Sequence, residues 1–122
     1  MKCLSAIWIS AEIDQHIPIL RYLARRVGSY DGETNYDKYL IDAVSDIYID
    51  WRTALASFLI TKTPEYMTTT APDYCRILDE YYSKNSGPFL LGNKLSYVDF
   101  AVYQIIYDHK KTRNDIVSFH FN

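Results

Sequence analysis

The stretch LLGNKLSYVDFAVYQII, from Leu90 to Ile106, is built to start a helix and decides how the whole chain is interpreted. Ser96 fits an N-cap whose hydroxyl accepts a hydrogen bond from the backbone N–H of Asp99, and the Asp99 carboxylate reaches back to the N–H of Ser96. Leu95 and Phe100 flank this pair at the spacing of a hydrophobic staple. The four residues predict a capped, buried helix, and such a capping unit is by itself a structural device.

Apolar residues recurring at steps of three and four predict helices along most of the chain. The first predicted helix covers residues 17–27 and stops at Gly28, a residue that suits the left-handed position after a helix. Thr34 or Asn35 then caps a long second helix, whose apolar positions run from Tyr36 to Leu59 before Pro64 breaks the pattern.

The third helix reaches about Lys84, and its start has two possible interpretations. Either Pro72 begins it with Thr70 as the N-cap, or Pro72 kinks a longer helix that begins near Pro64. The last helix runs from about residue 97 to about residue 109. Together these patterns predict an all-α fold, an antiparallel helical bundle with at most a vestigial strand at the front.

Composition narrows the class of protein. The chain has 122 residues, of which 48% are hydrophobic and 23% charged, as expected for one globular domain. Its net charge of −2 indicates no nucleic-acid partner and no anionic membrane partner, and no apolar run reaches the ~18 residues of a membrane span. Cys3 and Cys75 form no metal or redox motif, which favours reduced thiols, no metal site and a cytoplasmic location.

Three blocks in order resemble the glutathione transferase family over about residues 14–108. PFLLGNKLSYVDFAVYQII resembles the capping segment of the family's C-terminal domain, and QHIPILRYLARRVGSY resembles its Gln-Ser glutathione motif and the following helix. YLIDAVSDIYIDWR resembles the long helix that opens the helical domain in the alpha, mu, pi and sigma classes. The resemblance implies that residues 1–15, including the β-prone run Ile7 to Ile9, are the remnant of a thioredoxin-like domain. Residues 16–122 are then the helical domain of the glutathione transferase C-terminal type, incomplete at its C-terminus.

The resemblance implies a glutathione-binding role for Gln15, His16 and Asp50. Gln15 matches the first residue of the Gln-Ser pair that grips the γ-glutamyl end, and His16 stands where the family has the serine. An imidazole at the positive end of a helix can donate to a carboxylate, or else His16 is a solvent-facing residue at a helix start. Asp50 matches the aspartate that reaches across the dimer to the α-amino group of the neighbour's glutathione.

The resemblance also implies a homodimer whose interface carries Arg21, Arg25, Asp42 and Asp46. Without it, Asp42 and Asp46 form with Asp50 an acidic stripe at i, i+4 and i+8, and such a stripe is usually a solvated face. The two arginines on the preceding helix offer partners for the stripe, which favours the interface interpretation.

The family's catalytic Tyr, Ser or Cys lies near the start of the thioredoxin-like domain, and no residue of this chain matches it. We therefore expect a transferase fragment that is inactive alone and binds its co-substrate glutathione weakly if at all, with no other cofactor. The family's activity is conjugation of glutathione to electrophiles in detoxification. The alternatives are a non-catalytic dimerisation or interaction module and an unrelated four-helix bundle. Tyr48, Trp51, Tyr66 and Tyr103 line an electrophile pocket or, as is commoner at helical spacing, belong to the core.

Overall fold

The computed structural model describes the backbone of residues 15–121 and the side chains of residues 15–115. Four α-helices and one π-helical turn make up most of this part: α1 (His16–Val27), α2 (Asn35–Thr61), the π-helical turn (Tyr66–Thr70), α3 (Ala71–Tyr82) and α4 (Tyr97–Phe121). In residues 15–121 the only extended pairing is an isolated bridge between Phe89 and Gly92. The all-α prediction is confirmed. The strand predicted at Ile7 to Ile9, the proposed domain remnant and Cys3 lie outside the described residues.

The first two helices end and begin where their sequences indicate. Gly28 adopts the left-handed conformation with φ 80° and donates its N–H to the carbonyl oxygens of Ala24 and Arg25. Thr34 caps α2, because its hydroxyl accepts from the N–H of Asp37 at 3.0 Å while the Asp37 carboxylate accepts from the Thr34 N–H at 3.3 Å. This reciprocal capping box uses the same chemistry as the one expected at Ser96.

The structure decides between the two interpretations of Pro72. The π-helical turn runs directly into α3, and Thr70 is itself helical, with φ −66° and ψ −53°, and makes no side-chain capping bond. The helical segment therefore begins near Pro64, and Thr70 is not an N-cap. Pro72 lacks an N–H, and its ring would clash with the carbonyl four residues earlier, so a wider turn just before it relieves the conflict.

The last helix is longer than predicted. It continues to Phe121 instead of ending near His109. Residues 110–121 contain no glycine or proline, and the change from an apolar to a charged composition does not stop a helix. The hydroxyl of Thr112 donates to the carbonyl oxygen of Asp108, a bond that keeps this polar side chain within the helix.

Helix α2 is the centre of the core. Its buried side chains contact α4 on one side and the π-helical turn and α3 on the other. These side chains are Leu40, Ile41, Val44, Tyr48, Trp51, Leu55 and Phe58. Of the four aromatic residues considered for an electrophile pocket, Tyr48, Trp51 and Tyr66 belong to the core. The fourth, Tyr103, is 71% exposed on α4. Within the described part of the chain, no helix combines the length and apolarity that a membrane crossing requires.

Candidate functional site

The capping unit of α4 is centred on the carboxylate of Asp99. Oδ2 accepts from the backbone N–H of Ser96 at 2.9 Å and from the Ser96 hydroxyl at 3.1 Å. Oδ1 accepts from the backbone N–H of Leu90 at 3.1 Å and from the Tyr82 hydroxyl at 2.7 Å. Burial, together with the adjacent Asp99 carboxylate, raises the pKa of Tyr82 far above its ordinary value. The carboxylate thus joins α3, the connector and the start of α4.

One detail of the predicted capping box is wrong. The hydroxyl of Ser96 donates to the Asp99 carboxylate, and the N–H of Asp99 donates to the Ser96 carbonyl oxygen at 3.1 Å. The expected staple residues Leu95 and Phe100 border the same surface cavity of about 480 Å³. The Phe100 ring is 54% exposed and packs edge to face against Tyr30, with ring centroids 6.4 Å apart. This side of the capping unit therefore also supports the loop between α1 and α2.

At the start of α1, the structure holds His16 in place and leaves Gln15 exposed. Gln15 occupies the N-cap position without a side-chain capping bond. Nδ1 of His16 lies 3.1 Å from the hydroxyl of Tyr48, and the two rings meet edge to face at 5.9 Å. Nη1 of Arg52 donates to the same hydroxyl at 3.2 Å. His16 is half-buried against α2, so the interpretation as a simple solvent-facing residue is wrong.

Asp50 is exposed on α2 and faces away from this histidine. Tyr48 and Asp50 are two residues apart, a rotation of about 200° around a helix, so the face that contacts His16 excludes Asp50. Asp50 instead shares its exposed face with Asp42 and Asp46, as the spacing of four predicts. Within one chain, therefore, α1 and α2 contact each other without bringing the three predicted glutathione-binding residues together.

Arg21 connects three helices. Its Nη2 donates to Asp42 Oδ1 on α2 at 2.7 Å, and its Nε donates to the Tyr97 hydroxyl on α4 at 2.9 Å. Partial burial acts to lower the pKa of Arg21, but the bonds to Tyr97 and the charge of Asp42 outweigh it and raise the pKa. One of the two arginines thus meets the acidic stripe within the chain.

Within one chain, Arg25 pairs with the loop that follows α1 and not with the acidic stripe. Its Nε donates to Asp31 Oδ2 at 2.9 Å, and Lys38 Nζ donates to the same oxygen at 3.1 Å. Burial acts to raise the pKa of Asp31, but its bonds to the two cations keep it below the ordinary value. The pairing closes the loop between α1 and α2, six residues after Arg25, and leaves Asp46 exposed on the stripe.

A groove between α2 and the second half of α4 was not predicted from the sequence. We call it the α2–α4 groove; its volume is about 310 Å³. Its lining residues are Arg52, Leu55, Ala56, Leu59, Ile105, Asp108, Lys111, Thr112 and Asp115. Nε of Arg52 is buried there without a hydrogen-bond partner within the described residues. An apolar floor beside a few charged groups is typical of small-molecule sites.

Comparison with known proteins explains the arrangement of the capping unit and the long helix. The family model for the glutathione S-transferase C-terminal domain matches residues 49–120, which is more than half of the chain. This chain belongs to the glutathione S-transferase family. It is 34% identical to glutathione S-transferase Mu 2 of Mus musculus over 106 residues, which cover 83% of this chain and 47% of that protein.

Other relatives agree with this assignment. The chain is 30% identical to a glutathione S-transferase of Mesocricetus auratus, with 83% of this chain and 47% of that protein covered. It is also 30% identical to glutathione S-transferase Mu 1 of Bos taurus, with 81% and 46% covered. The chain thus spans about half the length of these curated relatives. No solved structure matches the chain significantly.

Proposed function

We propose that this chain is the helical half of a glutathione-conjugating transferase and that it binds glutathione without activating the thiol. The exposed carboxylate of Asp50, on the long helix of a glutathione S-transferase C-terminal domain, is the observation that supports the proposal best. The orientation of Asp50 away from His16 suits an aspartate that serves the glutathione of a second subunit. The exposure of Gln15 at the positive end of α1 supports a contact with a carboxylate of the tripeptide.

In this proposal the α2–α4 groove receives the electrophile. Its floor is apolar, and it is lined in part by Arg52, whose buried Nε has no hydrogen-bond partner within the described residues. The bundle contributes binding surfaces, while the group that stabilises the thiolate belongs to a thioredoxin-like domain. The purified 122-residue chain is therefore expected to show no turnover in a glutathione conjugation assay with a generic electrophile. Robust turnover by this chain would contradict the division of roles.

Glutathione binding by the purified chain should depend on Asp50 and Gln15. Isothermal titration is expected to show saturable binding that weakens on the order of tenfold in Asp50→Ala and in Gln15→Ala, since each removes a hydrogen bond to a charged group worth about 1.5–3 kcal/mol. The matched control is Glu80→Gln, which neutralises an exposed acid on α3 that pairs with Arg76. Absence of saturable binding, or equal affinities for all variants, would contradict the proposal.

We also propose that the acidic stripe lies at a homodimer interface with Arg21 and Arg25 nearby. Exposed apolar side chains on α1, namely Ile19, Tyr22, Leu23 and Val27, support association, because contiguous apolar patches favour burial.

Reversing the charge at Asp46 should weaken this dimer. Asp46→Lys is expected to reduce self-association on the order of tenfold or more in sedimentation velocity, because a cation would then face the arginines of the interface. Glu80→Lys makes the same charge change at an exposed side chain on α3, so the dimer should remain intact. A wild-type chain that sediments as a monomer at micromolar concentration would rule out the interface.

A further inference from the structure

Three aromatic side chains from three elements form a hydrogen-bonded chain in the core. Nε1 of Trp51 on α2 donates to the hydroxyl oxygen of Tyr66 in the π-helical turn at 2.9 Å. The same hydroxyl lies 3.1 Å from Nδ1 of His109 on α4. Trp51 is 0% exposed and Tyr66 is 4% exposed, so water does not reach these two side chains, whereas His109 is half-buried at the edge of the core.

The direction of the chain follows from what each group can do. An indole nitrogen only donates, so the Tyr66 oxygen is the acceptor of the first bond. The Tyr66 hydroxyl then has one proton to give, and Nδ1 of His109 is the acceptor within its reach. Nδ1 must be unprotonated to accept it, which requires His109 to be neutral.

Protonation of His109 breaks this order. An imidazolium is a donor at both nitrogens, so Nδ1 of His109 would donate to the Tyr66 hydroxyl oxygen. The proton of the Tyr66 hydroxyl would then have lost its acceptor. A buried donor without a partner costs about 1–3 kcal/mol. Burial lowers the pKa of His109, and the positive charge of Arg113 one turn further along α4 lowers it more.

Among residues 15–115, no carboxylate is hydrogen-bonded to the His109 ring. The aromatic rings around it are those of Tyr66, at 5.6 Å between centroids, and of Trp51, at 5.7 Å. Among the titratable and charged groups on the packed elements, Arg113 on α4 acts on His109 directly. Tyr74 and Cys75 on α3 act on Tyr66 in the turn, while Asp50 on α2 acts on Tyr74 and Lys110 on α4 acts on Cys75. The positive charge of Arg113 opposes a second positive charge on His109.

We propose that His109 is a proton-sensitive latch: neutral, it fastens the second half of α4 to α2 and the π-helical turn, and protonated, it lets that half of α4 loosen. The sign follows from the lowered pKa of this base. The latch is fully closed above the ordinary histidine pKa of about 6.5 and opens as the pH falls through the lower value in the folded chain. Asp108 and Lys111 lie in the α2–α4 groove, so the groove should loosen with it.

The test follows the Trp51 indole N–H by hydrogen exchange in the full chain between pH 7.5 and pH 5. The protection factor, which corrects for the intrinsic effect of pH on exchange, is expected to fall on the order of tenfold in the wild type, the size of one lost hydrogen bond. In His109→Asn an amide oxygen that does not titrate replaces Nδ1, so the protection factor should stay constant. His16→Asn is the matched control, because His16 also bonds a tyrosine on α2, and it should keep the wild-type response.

The latch is overturned if His109→Asn retains the pH response or if the wild type shows none. A second measurement on the wild-type chain does not depend on any variant. NMR titration should show the Trp51 indole resonance shifting with the same midpoint as the His109 ring, below the ordinary histidine value. A midpoint above that value would mean that contact with the indole face stabilises the imidazolium, and different midpoints would mean that the two groups are not coupled. Either result contradicts the proposal.

Discussion

Replacing Asp99 by alanine should lower the free energy of unfolding by about 3 to 5 kcal/mol, a large fraction of the ~5–15 kcal/mol typical of a domain. The carboxylate accepts from two backbone N–H groups and two hydroxyls, on Ser96, Leu90 and Tyr82. Hydrogen bonds to a charged group are worth about 1.5–3 kcal/mol each and do not simply add. Alanine would leave all four donors without this acceptor, two of them in the backbone.

Urea unfolding followed by far-UV circular dichroism measures this loss, and two further substitutions order the contributions. Asp99→Asn retains one acceptor oxygen and should cost less than Asp99→Ala. Ser96→Ala removes only the hydroxyl and should cost about 1 kcal/mol. A loss below about 1 kcal/mol for Asp99→Ala, or an equal loss for Ser96→Ala, would show that the carboxylate does not organise this connector.

In this capping unit, the sequence predicts the contacts between residues that are close along the chain. Ser96 and Asp99 are three residues apart, and that spacing alone places a carboxylate beside a helix N-terminus. The bond from Tyr82 joins residues 17 positions apart, so it depends on how α3 packs and has no sequence signal. The capping box at Thr34 is also local, because its aspartate follows three residues later, and this spacing in the sequence indicates it as well.

The features that differ from the sequence-based predictions share a physical origin: the local sequence allows more than one partner or environment for each of them. Arg25 had acids available both on the stripe and in the following loop, and the loop geometry brought Asp31 to it. The end of α4 was predicted near residue 109, although residues 110–121 contain no glycine or proline to stop the helix. Aromatic residues at helical spacing likewise say little about burial: Trp51 is in the core and Tyr103 is exposed.

The candidate site was predicted less completely than the fold, for a related reason. The resemblance pointed to Gln15 and Asp50, but tertiary packing decides which face of α2 meets α1. That face holds Tyr48, which contacts His16, and not Asp50. The contact between His16 and Tyr48 needs a half-buried histidine, and a histidine that follows Gln15 at a helix start gives no such indication. The burial of the Arg52 Nε could not be predicted from the sequence either, since long basic side chains are mostly exposed.

The second large effect is expected at Trp51. Trp51→Ala should destabilise the fold by about 3–5 kcal/mol, because a fully buried aromatic side chain leaves a cavity that the surrounding helices fill only partly. Its ring stacks on Tyr74 with centroids 5.9 Å apart and planes 7° apart. The substitution would therefore separate α3 from α2 as well as remove the donor to Tyr66.

A double-mutant cycle separates packing from hydrogen bonding at this position. Trp51→Phe retains an aromatic ring but removes the indole N–H, whereas Tyr66→Phe removes the hydroxyl that accepts from it. If the buried bond contributes, the double variant should be more stable than the sum of the two losses predicts, by about 1 kcal/mol. Additive losses in urea unfolding would mean that Trp51 stabilises the core through packing alone. The proposed latch at His109 would then lose the bond that orients the Tyr66 proton.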